Sequence, residues 1–416
     1  MVTRLRGLDL WKPLNGRPFR RLWVGAGVSM LADQAFLVAL TWLVLRVSGS
    51  GAQLGAVLAV ASVPGAVLMP VGGVLSDRSS PALIMVLSSI GRVALLTLLA
   101  ALILTDATRL WHVYAISASL SALDALYYPA SMAVIPALVG QERLGAANAL
   151  IQGSEQASGI LGPALAGSSL ALLCLGASFG ATAILFLIAT ALFGALVRAG
   201  KPEVSSADGA TEEENTRSST REELVEGLRY VLGDPVIRSL LLIVLGTNVA
   251  MMGPLYVGGA VLSELRLGGA GAFGTLVAAA GVGSLIGIVG AGSVGTFTRR
   301  GIIEISLTGV LGVMVASIAF VPNLPVAIPL AVAIGATASF LGVITISWLQ
   351  ERADPGLLGR VMSLAMFSAV ALDPLSFALA GVLVGINLTA MFVVAGALLL
   401  LTALLGAASR TMRVAD

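Results

Sequence analysis

The chain has 416 residues, 57% of them hydrophobic and 11% charged, with a mean hydropathy of +0.98. That composition lies far outside the soluble globular range and excludes a water-soluble enzyme. The net charge of +2 points to no nucleic-acid partner, and a single histidine and a single cysteine argue against a Ser-His or Cys-His nucleophile, a metal cluster or an internal disulfide.

Met1–Arg21 is basic. The apolar stretch after it is too long for a signal peptide and has no small-residue cleavage site, so it reads as the first membrane helix. Stretches of this kind, long enough to cross a hydrocarbon core of roughly 30 Å, recur along the chain. In the first half they fall near 21–46, 52–76, 82–105, 111–138, 145–171 and 173–198. A polar loop follows over 201–221, rich in Ser, Thr, Glu and Gly and without an apolar period, and reads as disordered. Thr220 and Glu223 then resemble a capping box; Leu224, Leu228 and Val231 share an apolar face, and Gly233-Asp234-Pro235 ends the segment. This predicts a short amphipathic helix on the membrane surface. Six more spans are expected near 236–263, 270–297, 301–321, 325–350, 357–385 and 387–409.

Lys and Arg crowd Met1–Arg21, Arg198–Arg238, Arg299-Arg300 and the C-terminus, while the opposite turns hold only Arg46, Arg109 and Arg266. The positive-inside rule then places both termini and the central loop in the cytoplasm. The halves also resemble each other. One ungapped offset lays Leu144-Gly145 on Leu358-Gly359, Leu150 on Leu364, Ser154 on Ser368, and the Ala-Leu-Ala-Gly ending at Gly167 on that ending at Gly381. The predicted fold is therefore an all-α membrane protein of twelve transmembrane helices in two pseudo-symmetric six-helix bundles. Its N-terminal bundle covers 1–198, a cytoplasmic loop with an amphipathic helix 199–235, and the C-terminal bundle 236–416. Two parallel repeats are one design of secondary transporters.

Ionisable residues at bilayer depth are costly and are functional candidates by default. Asp33, Arg92, Asp124, Glu155 and Asp373 qualify. Gln152, Glu155 and Gln156 share one helix face, which is expected to look inward and reads either as a site, with Glu155 a proton-coupling candidate beside Asp33, Asp124 and Arg92, or as an interhelical hydrogen-bond patch. Asp373 precedes Pro374 and reads as a site residue or as a kink. His112, at a helix start, reads as a surface residue. Phe36, Trp42, Tyr127, Met251, Met252, Tyr256, Trp348 and Phe367 offer soft apolar contacts or ordinary packing; Phe36, Tyr127, Met252 and Tyr256, with Gln152, are the candidates chosen to line a substrate cavity. Glycines at small-xxx-small spacing, such as Gly283 and Gly287, predict close helix approach.

Gly73-Val74-Leu75-Ser76-Asp77-Arg78, at the turn after the second span, resembles motif A of the major facilitator superfamily, although the usual Gly-Arg-Lys end is replaced around Ser80, Pro81 and Ala82. Gly162-Pro163-Ala164-Leu165-Ala166-Gly167 in the fifth span resembles motif C of drug–proton antiporters, with departures at Ser158 and Ala166. The segments PFRRLW, YYPASMAVIPALVGQERLGAANAL and EGLRYVLGDPVIRSLLL together look like the bacterial branch of enterobactin exporters and macrolide efflux proteins. The resemblance covers the whole chain.

It implies that spans one, four, seven and ten line a central cavity. Asp33 is then a proton carrier, a contact for a cationic substrate, or a structural acid. Asp124 is either a cation or proton site or a buried partner of Arg92. The antiporters' arginine in span four is absent, which either removes the usual arginine-assisted proton coupling or moves its role to Arg92. The motif-A aspartate meets the start of span eleven in this superfamily, so the resemblance implies a latch built from Gly73, Asp77, Arg78 and Arg360, with Gly162, Pro163 and Gly167 as a helix-packing motif.

The expected activity is proton-coupled export of a small amphiphilic compound (a drug, siderophore or similar) by rocker-switch alternating access, with roles in drug efflux and resistance. A lipid flippase, a facilitator or importer of the same fold, and a non-transporting receptor or scaffold are the alternatives. The sequence carries no ATP-binding motif, so the energy source is a gradient and the protein is not an enzyme. No cofactor is expected. The expected partners are a small-molecule substrate, protons and the bilayer, around a monomer in the bacterial inner (cytoplasmic) membrane.

Overall fold

A computed structural model of the chain describes residues 11–198, 229–231, 233–294, 299–354, 357–370, 372–409 and 412–413. Every regular element among them is a helix. Spans one to six are Arg17–Ser48, Gly51–Arg78, Pro81–Leu104, Leu110–Val139, Leu144–Leu172 and Leu175–Arg198. Span seven starts as Pro235–Gly253 and continues through π turns at Pro254–Gly258 and Ser263–Leu267. Spans eight to ten are Ala270–Ser293, Arg300–Ser317 and Leu324–Arg352. Span eleven is broken into Leu358–Val370 and Asp373–Ile386, and span twelve is Leu388–Ala408.

The ends follow local chemistry. Pro81 and Pro235 sit in first turns, where the missing N–H costs nothing. Asp234 accepts from the backbone N–H groups of Val236 and Ile237, and Asn323 and Asn387 cap spans ten and twelve. Gly49 ends span one in the left-handed region at φ 61°, where a side chain is strained.

Ten of the described helices are long and apolar enough to cross a membrane. The other two expected spans have visible reasons for being weaker signals. Span five carries Gln152, Glu155 and Gln156, and span eleven is interrupted just before Asp373-Pro374. The amphipathic helix expected over 220–235 falls largely outside the described residues; within it Arg229–Val231 is helical. The side chains of Asp77 and Arg78, on which the expected latch depends, also lie outside them.

The chain divides into two compact units. The first holds span one, spans three to six and span two from Val60 onward; the second holds spans seven to twelve with Ser50–Ala59. The first unit has a core of Phe19, Leu22, Tyr127, Val134, Ile151 and Phe193. In it span two lies directly on span four. A Cβ added at Gly72 would stand 2.1 Å from the Ala125 carbonyl oxygen, and one turn-pair earlier the Gly65 N–H donates to Ser121 Oγ at 3.0 Å. Gly72 therefore makes the close approach, whereas a Cβ at its neighbour Gly73 would meet nothing within 4 Å.

In the second unit, spans eight and ten meet backbone to backbone. Added Cβ atoms at Gly283, Gly287 and Gly335 would lie 2.0, 2.1 and 2.0 Å from carbonyl oxygens of Val332, Ala336 and Ala280. The small-xxx-small spacing thus acts as expected. Gly335→Ala should lower stability by ~1–3 kcal/mol through overpacking, read as a fall in the melting temperature of the detergent-solubilised protein. Gly342→Ala, on the same helix with nothing within 4 Å, should leave it unchanged.

Spans seven and eleven are stitched where both depart from regular helix. The Gly253 N–H donates to Ser376 Oγ at 2.8 Å, and that hydroxyl donates to the Val249 carbonyl at 2.7 Å. A π turn shifts the hydrogen-bond register and frees backbone groups; in lipid such groups need an internal partner, and Ser376 is one.

Candidate functional site

The site is built around Arg92. It lies midway along span three, carries no neighbouring charge in its helix, and is 1% exposed. A guanidinium so buried requires compensation, and three helices of the first unit supply it. Its Nη2 pairs with Asp124 Oδ1 of span four at 2.5 Å. Its Nη1 donates to Ser29 Oγ at 3.1 Å and stands 3.7 Å from Asp33 Oδ2, both on span one. Ser29 and Asp33 are four residues apart and so share a helix face. The guanidinium plane lies 4.4 Å from the centroid of the Tyr127 ring and 5.3 Å from that of Phe186, within cation–π range. Tyr127 in turn packs on Phe193, 5.9 Å between centroids.

The exposure is uneven. The Arg92 side chain is 2% accessible, those of Asp33 and Asp124 39% and 49%. The cation is fixed inside the helix packing, and the two carboxylates reach the surface of the unit. With both ionised, two negative charges face one positive, leaving one net negative charge. The two pairings also differ in tightness: Asp124 makes a direct charge-assisted hydrogen bond, while Asp33 makes a longer ion pair and is the easier of the two to exchange.

Of the two readings for Asp124, pairing with Arg92 is what the geometry displays. Tyr127 is 5% exposed and forms the shelf under Arg92. Phe36 is half-buried and meets Phe179 edge to face at 6.2 Å. Gln152 and Glu155 are exposed and Gln156 half-buried, so this stripe lies on an accessible face of span five. Elsewhere on span five, Gly162 and Pro163 are buried with Gly167. A Cβ at Gly162 would stand 2.5 Å from Cβ of Gln34, the neighbour of Asp33. The motif-C segment therefore sets how closely span five approaches the acid-bearing stretch of span one.

Met252 and Tyr256 belong to the second unit. Tyr256, in the first π turn of span seven, is 9% exposed and meets Phe377 at 6.4 Å. Asp373 begins the second half of span eleven, and its Oδ1 is buried without a partner among the described residues. Arg360 is half-buried near the start of span eleven. His112 accepts from the Arg109 N–H at 3.0 Å as part of a helix cap; Trp348 is 3% and Phe367 67% exposed.

Two features escaped the sequence reading. Ser29 is one of many serines in apolar helices, and only the fold shows it on Arg92. Glu304 sits in span nine and is 0% exposed. Its sequence signal is an acid one turn into an apolar run, obscured by the adjacent Arg299-Arg300.

The profile of the Major Facilitator Superfamily matches residues 22–375. The chain is 28% identical over 392 residues to the uncharacterized MFS-type transporter y4rN of Sinorhizobium fredii, covering 90% of each chain. It is 27% identical over 379 residues to the multidrug efflux pump Tap of Mycolicibacterium fortuitum, covering 87% of each. In fold it is similar to the crystal structure of the nucleoside transporter NupG, with a TM-score of 0.73 at 11% identity over 94% of this chain and 98% of that one.

Proposed function

Because the chain belongs to the major facilitator superfamily, and is thus a multi-pass membrane transporter of a small molecule rather than an enzyme, we propose that it is a proton-coupled exporter. Its substrates are small amphiphilic compounds, cationic ones above all, and it falls in the branch of enterobactin exporters and macrolide efflux proteins. It works as a monomer in a bacterial inner membrane with both termini cytoplasmic. The segments 1–198 and 236–416 move against each other across the 199–235 loop.

The observation that carries this reading is the Asp33–Arg92–Asp124 cluster. When both carboxylates are ionised, its surplus negative charge suits a cationic head, and Phe36 and the accessible face with Gln152 and Glu155 lie in the same unit to take an amphiphile. Protonation of Asp33 cancels the surplus and leaves Arg92 paired with Asp124 and bonded to Ser29. Substrate and proton thus compete for one carboxylate, and each stabilises a different facing state, which is exchange by population shift. The relative named as a multidrug efflux pump supports the direction and the substrate class.

The test uses the full chain in proteoliposomes with ethidium as the cationic amphiphile and an imposed pH gradient. Ethidium movement should accelerate with the gradient and collapse when a protonophore is added. Movement indifferent to both overturns proton coupling. Binding without movement overturns transport in favour of a receptor, and movement of a fluorescent lipid in place of ethidium favours a flippase.

A further inference from the structure

Glu304 is not part of the Arg92 cluster and belongs to the second unit. It lies one turn into span nine, is 0% exposed, and its Oε2 has no partner among the described residues. Its Oε1 is 2.8 Å from Thr345 Oγ1 on span ten. The same Thr345 oxygen is 2.9 Å from the Leu341 carbonyl. A threonine hydroxyl has one proton and so can donate fully to only one of these two acceptors. Both contacts are full hydrogen bonds only if Glu304 supplies a proton; otherwise the one hydroxyl proton is shared in a weaker three-centre bond. A neutral carboxylic acid satisfies both at once: Glu304 donates to Thr345, and Thr345 donates to Leu341.

The surrounding charges do not offer another solution. On its own helix Arg300 pairs with Glu351 of span ten. Arg352 of span ten pairs with Asp234 at the start of span seven, 2.9 Å apart. Arg299 precedes span nine, Arg238 lies in span seven and Arg413 follows span twelve. Among the described residues Glu304 itself is in no ion pair, and its Oε2 has no hydrogen-bond partner. The space is also closed. A Cβ added at Gly301, one turn before Glu304, would stand 1.8 Å from the Met412 carbonyl oxygen, and buried Trp348 and Leu349 follow Thr345 on span ten. An ionised carboxylate left there with one hydrogen bond would be strongly destabilised.

We propose that Glu304 is a proton-binding site of the second unit, occupied while span nine packs on span ten, its acid held by a hydrogen-bond chain that runs through the Thr345 hydroxyl and ends on the Leu341 carbonyl. Its proton leaves only when water reaches the carboxyl, so parting of these two spans is linked to deprotonation. Proton occupancy of Glu304 is independent of the direction, substrate and coupling of transport.

The test is infrared difference spectroscopy of the full-length protein in lipid nanodiscs, between neutral and strongly alkaline pH, with and without 13C-labelled glutamate. A protonated-carboxyl band is expected at neutral pH. It should move on glutamate labelling, vanish in Glu304→Gln and persist in Glu155→Gln and Asp33→Asn. Thr345→Val should displace the band and Thr345→Ser return it. If Glu304→Gln does not fold, the labelled protein with and without the Thr345 substitutions carries the test. Absence of a glutamate-derived acid band, its survival in Glu304→Gln, or a band indifferent to Thr345→Val overturns the proposal.

Discussion

Arg92→Met is expected to destabilise the first unit by about 1–3 kcal/mol, because it removes the buried cation that Asp124 and Asp33 share; both carboxylates reach the surface, so the loss stays below that of a fully buried pair. Equilibrium unfolding in detergent measures it. The loss belongs to the unpaired charges rather than to Arg92 as such. Adding Asp33→Asn and Asp124→Asn to Arg92→Met should therefore return most of the stability, since a methionine packs well against Tyr127 and Phe186. Arg92→Lys should recover only part. A lysine keeps the charge but cannot reach Asp124, Ser29 and Asp33 from separate nitrogens while lying flat on the Tyr127 ring. A triple variant no more stable than Arg92→Met would show that the arginine acts by packing alone.

The second large effect separates the two aspartates. Asp33→Asn is expected to abolish acceleration of ethidium export by a pH gradient, while ethidium still exchanges down its own concentration gradient. Coupling of two ligands' binding to one protein is typically about 1–3 kcal/mol, or 5–150-fold in affinity, and that pH-dependent shift in ethidium affinity should be lost with it. Asp124→Asn acts differently. It removes the closest partner of Arg92, so Arg92 shifts toward Asp33 and locks it. Export should then fail both with and without the gradient, together with a loss of stability. Identical phenotypes for the two variants would contradict the division of roles drawn from the 3.7 and 2.5 Å contacts.

The architecture was legible because a membrane span is written in the sequence as length and apolarity. The interruptions were legible only in part. Asp373-Pro374 marks a kink, and span eleven does break just before it. The π turns of span seven have only Pro254 and a few glycines as their signal, because their stability comes from Ser376 on another helix. The charged residues divide in the same way. Depth in an apolar run singles out Asp33, Arg92 and Asp124, and the possible Arg92–Asp124 pair is visible from composition alone. Which acid binds tightly, and that Tyr127 lies under the guanidinium rather than open to a ligand, depends on helix rotation. Glu304 was missed because a charge within one turn of Arg299-Arg300 looks interfacial. Its burial comes from span ten and from the backbone near Met412, segments distant in sequence.

Competition between proton and substrate at Asp33 is tested most directly by counting protons. Ethidium is added to the purified protein in weakly buffered detergent over a series of pH values from acid to neutral, and proton release is followed with a pH-sensitive dye. Since substrate is held to bind the deprotonated cluster, wild-type protein should release protons on binding and its affinity for ethidium should weaken as pH falls, while Asp33→Asn, fixed in the neutral form, should bind weakly at every pH and without release. Wild-type binding that releases no proton at any pH in the series would contradict the account.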